Sequence, residues 1–159
     1  MSKADVKTRQ KEKTRVGKED IKKGLRKLGL KKGNIVGVHS SLSSFGYVEG
    51  GADAVIDALL EVVGEEGTIV MPTYSTNLSK DQRTPEEIAM GVAWIYKILP
   101  YDPKETPCTT GTIPETFRKR KDAIRSSHPS LSLAAVGPKA RKLVEGRWDK
   151  LLELDGYIL

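Results

Sequence analysis

Residues 36–75, VGVHSSLSSFGYVEGGADAVIDALLEVVGEEGTIVMPTYS, place two short apolar runs on either side of one amphipathic stretch, and few folds accommodate that order. After the turn signal Lys31-Lys32-Gly33, Asn34 to Val38 has strand character and His39 to Gly46 reads as a loop. Gly50-Gly51 then opens a helix in which Val55, Ile56, Leu59, Leu60, Val62 and Val63 form a wide apolar stripe opposite Asp53, Asp57 and Glu61. Gly64 ends the helix, Glu65-Glu66-Gly67 is a turn, and Thr68 to Met71 forms a second apolar run stopped by Pro72. Joints this short make a βαβ unit, with parallel strands and a right-handed crossover. The expected fold class is α/β, three layers around a mixed or mostly parallel sheet.

In open α/β sheets ligands collect beyond the carboxyl ends of the strands, which puts HSSLSSFG and PTYS at one rim. Ser40, Ser41, Ser43 and Ser44 offer hydroxyls there, beside backbone N–H groups suited to a phosphate. The same serines could instead satisfy the backbone of their own turn. Gly46 and Gly50-Gly51 permit tight backbone geometry, and the helix they precede could turn its N-terminal amides toward an anion. Thr73 ends the second strand, where a lone threonine is ordinarily a cap or turn residue.

The signal weakens beyond Ser75: Asn77 to Pro85 reads as polar loop, Glu86 to Leu99 as helix despite Gly91, and Pro100 to Pro107 as a proline-punctuated loop. Further on, a proline-started helix is expected from Pro114 to about Lys121, a polar loop around Arg125 to Pro129, a strand over Leu131 to Val136, and a helix from Pro138. Gly156 is a turn and Tyr157 to Leu159 starts an apolar, strand-like run.

Composition narrows the function classes. A chain of 159 residues, 38% hydrophobic, supports one domain with a real core. The net charge of +6 is concentrated at one end: residues 1–32 carry 13 Lys/Arg against 4 Asp/Glu, and the remainder is net −3. Residues 1–17 have almost no large apolar side chain and are expected to form a flexible basic tail, leaving 18–159 as a single α/β domain. Ile21, Leu25 and Leu28 recur at helical spacing, with Glu19 and Asp20 in the first turn and lysines in the last, so residues 18–30 form a short amphipathic helix. No aromatic residue interleaves with the basic run, which argues against nucleic acid as a partner. The single cysteine, Cys108, excludes an internal disulfide and a cysteine-based metal cluster, and no apolar run reaches the length of a membrane helix. A cytoplasmic location, with no membrane contact and no metal, is expected.

Two stretches together carry a resemblance. VHSSLSSFGYVEGGADAVIDALLEVVGEEGTIVMPTYS, followed by TGTIPETFRKRKDAIRSSHPSLSLAAVGPKA, resembles the aminoglycoside 3-N-acetyltransferase family over about residues 18–146. The resemblance implies acetyl transfer from acetyl-CoA to an amine acceptor such as an aminoglycoside, and so a tie to antibiotic resistance. It implies a cofactor-binding set of His39, Ser40, Ser41, Leu42, Ser43, Ser44, Thr73, Arg125, Ser126 and His128. The HSSL loop would lie against the phosphates and pantetheine arm, and Arg125 to Pro129 matches the family's Arg-Ser-x-His-Pro motif. Arg125 would pair either a phosphate or a carboxylate. His39 and His128, the only imidazoles, are either proton acceptors or structural hydrogen-bonding residues.

In the family a base removes a proton from the 3-amine, the nitrogen attacks the thioester carbonyl, and donors stabilise the resulting oxyanion. The His and Glu that do this belong to segments after the Ala134-Ala135-Val136-Gly137 strand. This chain continues instead as EGRWDKLLELDGYIL, with Arg147 about where the histidine is expected. The expectation is therefore an N-terminal portion of the fold, incomplete relative to the full family and with no catalytic residue assigned. The alternative is a non-catalytic coenzyme A or nucleotide binding module.

Overall fold

The computed structural model describes residues 15–81, 83–93 and 96–159. In chain order its elements are β1 (Arg15–Val16), α1 (Lys18–Lys27), β2 (Ile35–Gly37), β3 (Tyr47–Val48), α2 (Gly51–Val63), β4 (Thr68–Pro72), β5 (Ser79–Asp81), α3 (Pro85–Ala89), β6 (Tyr96–Ile98), α4 (Thr112–Arg118), β7 (Ile124–Arg125), β8 (Leu133–Val136), α5 (Ala140–Glu153) and β9 (Tyr157–Ile158). Single turns of 3-10 helix cover Leu42–Phe45 and Thr76–Leu78. No helix among the described residues is long and apolar enough to cross a membrane.

The main sheet runs β7-β8-β4-β2-β9. β2 pairs parallel with β4, Val36 opposite Ile69, as the βαβ reading requires, and it also pairs parallel with β9. β8 is antiparallel to both β4 and β7, so the sheet is mixed. All five residues of β4 and all four of β8 are buried, which follows from helices covering both faces. Alternation divides their side chains: Ile69, Met71, Ala134 and Val136 pack with α1, α2 and α4, while Val70, Leu133 and Ala135 pack with α5. Two glycines set the fit of the second layer. A Cβ on Gly37 would lie 2.7 Å from a Leu151 methyl and 2.9 Å from the Trp148 ring, so its absence lets α5 close on β2. At Gly137, φ is +121° and a Cβ would meet the Gly67 carbonyl at 2.2 Å. The chain turns there into α5, whose approach is fixed by the Lys139 N–H donating to Thr68 Oγ1 (3.1 Å).

Several expectations change. Residues 1–14 lie outside the described residues, but Arg15–Val16 is a strand paired parallel with Tyr47–Val48, so the tail does not extend to residue 17. Leu28 is 70% exposed and Leu30 takes the buried position beyond the end of α1. Pro72 is part of β4 opposite Leu133, since an end position tolerates the missing N–H. In place of a polar loop over 77–85 and a helix over 86–99, β5 and β6 form an antiparallel hairpin around the five-residue α3. A reciprocal cap, Thr84 N–H to Glu87 Oε2 (2.7 Å) and Glu87 N–H to Thr84 Oγ1 (3.2 Å), starts α3, and Gly91 at φ +73° follows its end. Arg125 lies in β7 rather than in a loop, and the following strand starts at Leu133.

Two charged side chains anchor the loops to this frame. The Arg125 guanidinium donates through Nε to Thr73 Oγ1 (3.1 Å) and Ser132 Oγ (3.2 Å), through Nη1 to the carbonyls of Pro103 (3.2 Å) and Thr106 (2.5 Å), and through Nη2 to the Thr73 carbonyl (2.6 Å) and Ser75 Oγ (3.0 Å). Burial lowers its pKa from the ordinary arginine value, and the Tyr101 ring lies 5.2 Å from the guanidinium carbon. Arg118, almost fully buried, forms a fork with Glu115 in which both N···O distances are 2.6 Å, and donates to the Lys104 carbonyl. Burial alone would raise the Glu115 pKa, but donors from Arg118, the Cys108 backbone and Lys119 hold it well below the usual carboxylate range.

Arg125→Ala leaves buried carbonyls without donors and is expected to lower unfolding free energy by about 3 kcal/mol in urea titrations, with Arg125→Lys recovering less than half because an ammonium has three donors and no fork. The depressed Glu115 pKa means that its stabilisation is complete above the unfolded carboxylate value of about 4.3 and is lost as pH falls below it. The melting temperature should therefore decline from about pH 5 downward, and Glu115→Gln should start lower at pH 7 and show a shallower acid decline.

Candidate functional site

The site begins where β2 leaves the sheet. Val38 N–H still donates to the Val70 carbonyl (2.8 Å) and His39 N–H to the Leu159 carbonyl (2.9 Å), so the chain is held up to the first serine. From there the HSSLSSFG segment makes a tight turn: Ser44 N–H donates to the Ser41 carbonyl and Gly46 N–H to the Ser43 carbonyl, with Gly46 at φ +82°. Ser41 Oγ and Ser43 Oγ lie 2.9 Å apart, so part of the hydroxyl set serves the turn itself. Ser41, Ser43 and Ser44 are exposed. Ser40 Oγ is buried and has no hydrogen-bond partner, which for a hydroxyl in a folded protein calls for an explanation.

The loop's exit is clamped by the N-terminal strand. Glu49 N–H donates to the Val16 carbonyl (2.9 Å), Arg15 pairs with Glu49 (3.1 Å), and the Arg15 guanidinium lies 5.8 Å from the Tyr47 ring centre. Below, Lys18 and Lys22 both reach Glu61 at 2.6 Å, tying α1 to α2. Hydrogen bonds and charge from these lysines lower the Glu61 pKa to about 2. Between α1, α2 and the loop lies a groove of about 540 Å³, lined by His39, Ser40, Ser41 and Ser44, by Asp20 and Gly24, and otherwise by apolar side chains. α2 contributes Val55 and Leu59 to it rather than its first turn, so the structure does not bring the helix N-terminus into this groove.

The other expected site residues gather at the same end of the sheet but outside the groove. Thr73 is fully buried, with Oγ1 donating to the Ser132 carbonyl (3.2 Å). Among the described residues Arg125 pairs no carboxylate: its five N–H groups all go to neutral oxygens of the protein, as described above. Ser126 is occupied as well, its N–H donating to the Leu133 carbonyl and its carbonyl accepting from Tyr101. His128 Nδ1 accepts from the N–H groups of Ser130 (3.3 Å) and Leu131 (3.0 Å), which makes this ring the cap of its own turn. Leu42 is half-buried inside the 3-10 turn and packs against the core.

His39 is exposed and stacked on Trp148, ring centres 5.2 Å apart and planes at 29°. Trp148 Nε1 in turn donates to Tyr74 Oη (3.2 Å), so a contact chain runs from the loop through α5 to the PTYS segment. Sequence reasoning missed Trp148, Tyr74, Ser75 and Ser132. Tyr74 and Ser75 sat inside a quoted motif, but nothing in the order of residues marks Trp148 or Ser132 as their partners. Among the described residues no group of three or more His, Cys, Asp or Glu could hold a metal ion.

The family described as aminoglycoside 3-N-acetyltransferase matches residues 38–159. The SPbeta prophage-derived aminoglycoside N(3')-acetyltransferase-like protein YokD of Bacillus subtilis (strain 168) is 46% identical over 132 residues, covering 80% of this chain and 48% of that protein. Aminoglycoside N(3)-acetyltransferase IX of Micromonospora chalcea is 38% identical over 137 residues, covering 84% of this chain and 49% of that protein. In structure, aminoglycoside acetyltransferase AAC(3)-Xa superposes with a TM-score of 0.76 at 32% identity, covering 91% of this chain and 56% of that one. AAC-IIIb, solved as a binary complex with CoASH, gives 0.65 at 27% identity over 82% of this chain and 49% of that one. This chain spans about half the length of the curated relatives it matches. With the family match over most of its residues and this structural likeness, the chain belongs to the aminoglycoside 3-N-acetyltransferase family.

Proposed function

We propose that the described residues form the acyl-donor half of a coenzyme A-dependent N-acetyltransferase site, with acetyl-CoA as donor and an aminoglycoside-type amine as acceptor. The observation that carries this reading is the loop at the end of β2: exposed hydroxyls on Ser41, Ser43 and Ser44, and the buried, unpartnered Ser40 hydroxyl at the edge of a groove. A phosphate or amide group laid against the loop would find donors there without displacing any internal hydrogen bond of Arg125 or Thr73. Coenzyme A presents both kinds of group, and its complex with AAC-IIIb supports the choice of ligand. Bound there, the thioester supplies the acetyl group. The residues of this chain contribute binding and exclusion of water, with Ser40, Ser41 and Ser44 among the polar lining of the groove and Val38 and Phe45 among the apolar lining.

The amine acceptor follows from the family and from AAC-VIa, which has been solved bound to sisomicin. Of the two imidazoles, His128 is committed to its turn through Nδ1, and His39 stands at the groove with its ring against Trp148. That commitment of His128 favours a second reading, a protein that binds coenzyme A without turning it over. The two readings separate by titrating the chain calorimetrically with acetyl-CoA and then following thiol release on adding an aminoglycoside. Binding followed by thiol release supports the transferase; binding alone supports the second reading; no binding overturns both.

Ser41→Trp, on an exposed position, is expected to weaken coenzyme A binding at least about tenfold while leaving the melting temperature within a few degrees, since surface changes away from buried contacts cost little. Unchanged affinity in the folded variant would remove this loop from the site.

A further inference from the structure

The turn that follows β7 is closed by a ring nitrogen. Nδ1 of His128 accepts the N–H groups of Ser130 (3.3 Å) and Leu131 (3.0 Å), two and three residues ahead of it. Asn, Asp and Ser side chains close turns on their own backbone in the same pattern. The acceptor is what differs: an amide oxygen keeps its lone pairs near neutral pH, whereas Nδ1 of an imidazole takes a proton. The turn in turn holds the segment beyond β4. Ser75 N–H donates to the Ser130 carbonyl (3.1 Å) and Thr73 N–H to the Ser132 carbonyl (2.9 Å). Ser130 is therefore tied to the ring through its N–H and to Ser75 through its carbonyl.

We propose that His128 is a pH-operated clasp: unprotonated, Nδ1 closes the turn and steadies its hold on Ser75; protonated there, the ring has no acceptor to offer and the turn opens. The proton goes to the Nδ1 lone pair while Nε2 keeps its own, and no covalent bond of the chain changes. His128 is exposed, so the released N–H groups of Ser130 and Leu131 pass to water. Thr73 and Ser132 are fully buried and keep their mutual bonds, so the opening stops at the tip of the turn. The surroundings offer a charged ring no partner. Arg141 and Glu145 of α5 share an open cavity of about 440 Å³ with it and lie 3.7 Å from each other. Arg125 of β7 lines the same cavity with its N–H groups on neutral oxygens, and Tyr101 Oη is taken by the Ser126 carbonyl (2.8 Å).

The test is nuclear magnetic resonance of the full chain between about pH 8 and about pH 5, the interval in which an imidazole takes its second proton and which lies above the acid decline assigned to Glu115. At the upper end a long-range nitrogen spectrum should show the ring proton on Nε2. On acidification the Ser130 and Leu131 amide signals should move together with the His128 ring signals. Their protection against hydrogen exchange, taken relative to the unstructured rate at each pH, should fall at least about threefold, the size of one net hydrogen bond. Ser75 N–H should lose protection over the same interval while Thr73 N–H does not. His128→Asn supplies an amide oxygen that does not titrate, so the protection of Ser130 and Leu131 should persist in it and no longer depend on pH. In His128→Ala that protection should be missing at both ends of the range. A ring proton on Nδ1 at the upper end, or amides that stay fixed while the ring titrates, overturns the clasp. So does a pH dependence that survives in His128→Asn. The wild-type spectra decide the matter alone where a variant does not fold.

Discussion

β4 has no exposed residue, and the architecture follows from that. A strand buried from Thr68 to Pro72 must have partners on both edges and cover on both faces, because unpaired backbone groups and uncovered aliphatic side chains are each costly. β2 and β8 supply the edges, one parallel and one antiparallel. α1, α2 and α4 supply one face and α5 the other. The mixed sheet is thus the arrangement in which a crossover helix and a returning strand can share one central strand.

The buried polar residues at the carboxyl end of that strand show how the fold fastens its loops. Arg125, Thr73, Ser75 and Ser132 form a closed set of hydrogen bonds that joins β4, β8 and the loop through Thr106. A charged group so fully satisfied by neutral oxygens positions backbone. The serine loop is the opposite case, with hydroxyls exposed and one left without a partner. The two lie at the same end of the sheet and differ in how completely their polar groups are satisfied.

What was legible in the sequence was whatever depended on local periodicity. The stripe Val55, Ile56, Leu59, Val62 and Val63 marked α2, and the short joints of the βαβ unit fixed the parallel pairing of β2 and β4. The serine loop was legible as well, because hydroxyls and Gly46 follow a strand directly. The β5–β6 hairpin was not, since its three-residue strands are too short to show alternation and Gly91 follows a helix whose cap lies in Thr84 and Glu87. The role of Arg125 was not legible either. Basic side chains in a motif suggest an anion, and only the folded chain shows carbonyls from residues 73, 103 and 106 converging on the guanidinium. Leu28 followed the helical pattern but lies past the end of α1 at Lys27, so the periodicity that predicted its burial had already stopped.

The short pairing of β9 against β2 has a mechanical meaning. Because Val36 and Gly37 face Tyr157 and Ile158 on one side and Ile69 and Val70 on the other, β2 is an interior strand, and the serine loop springs from a backbone gripped from both flanks. A force on the loop strains against two neighbours instead of peeling back a free edge. The rim is stiff along the strand axis as far as His39, whose N–H is still held by the Leu159 carbonyl.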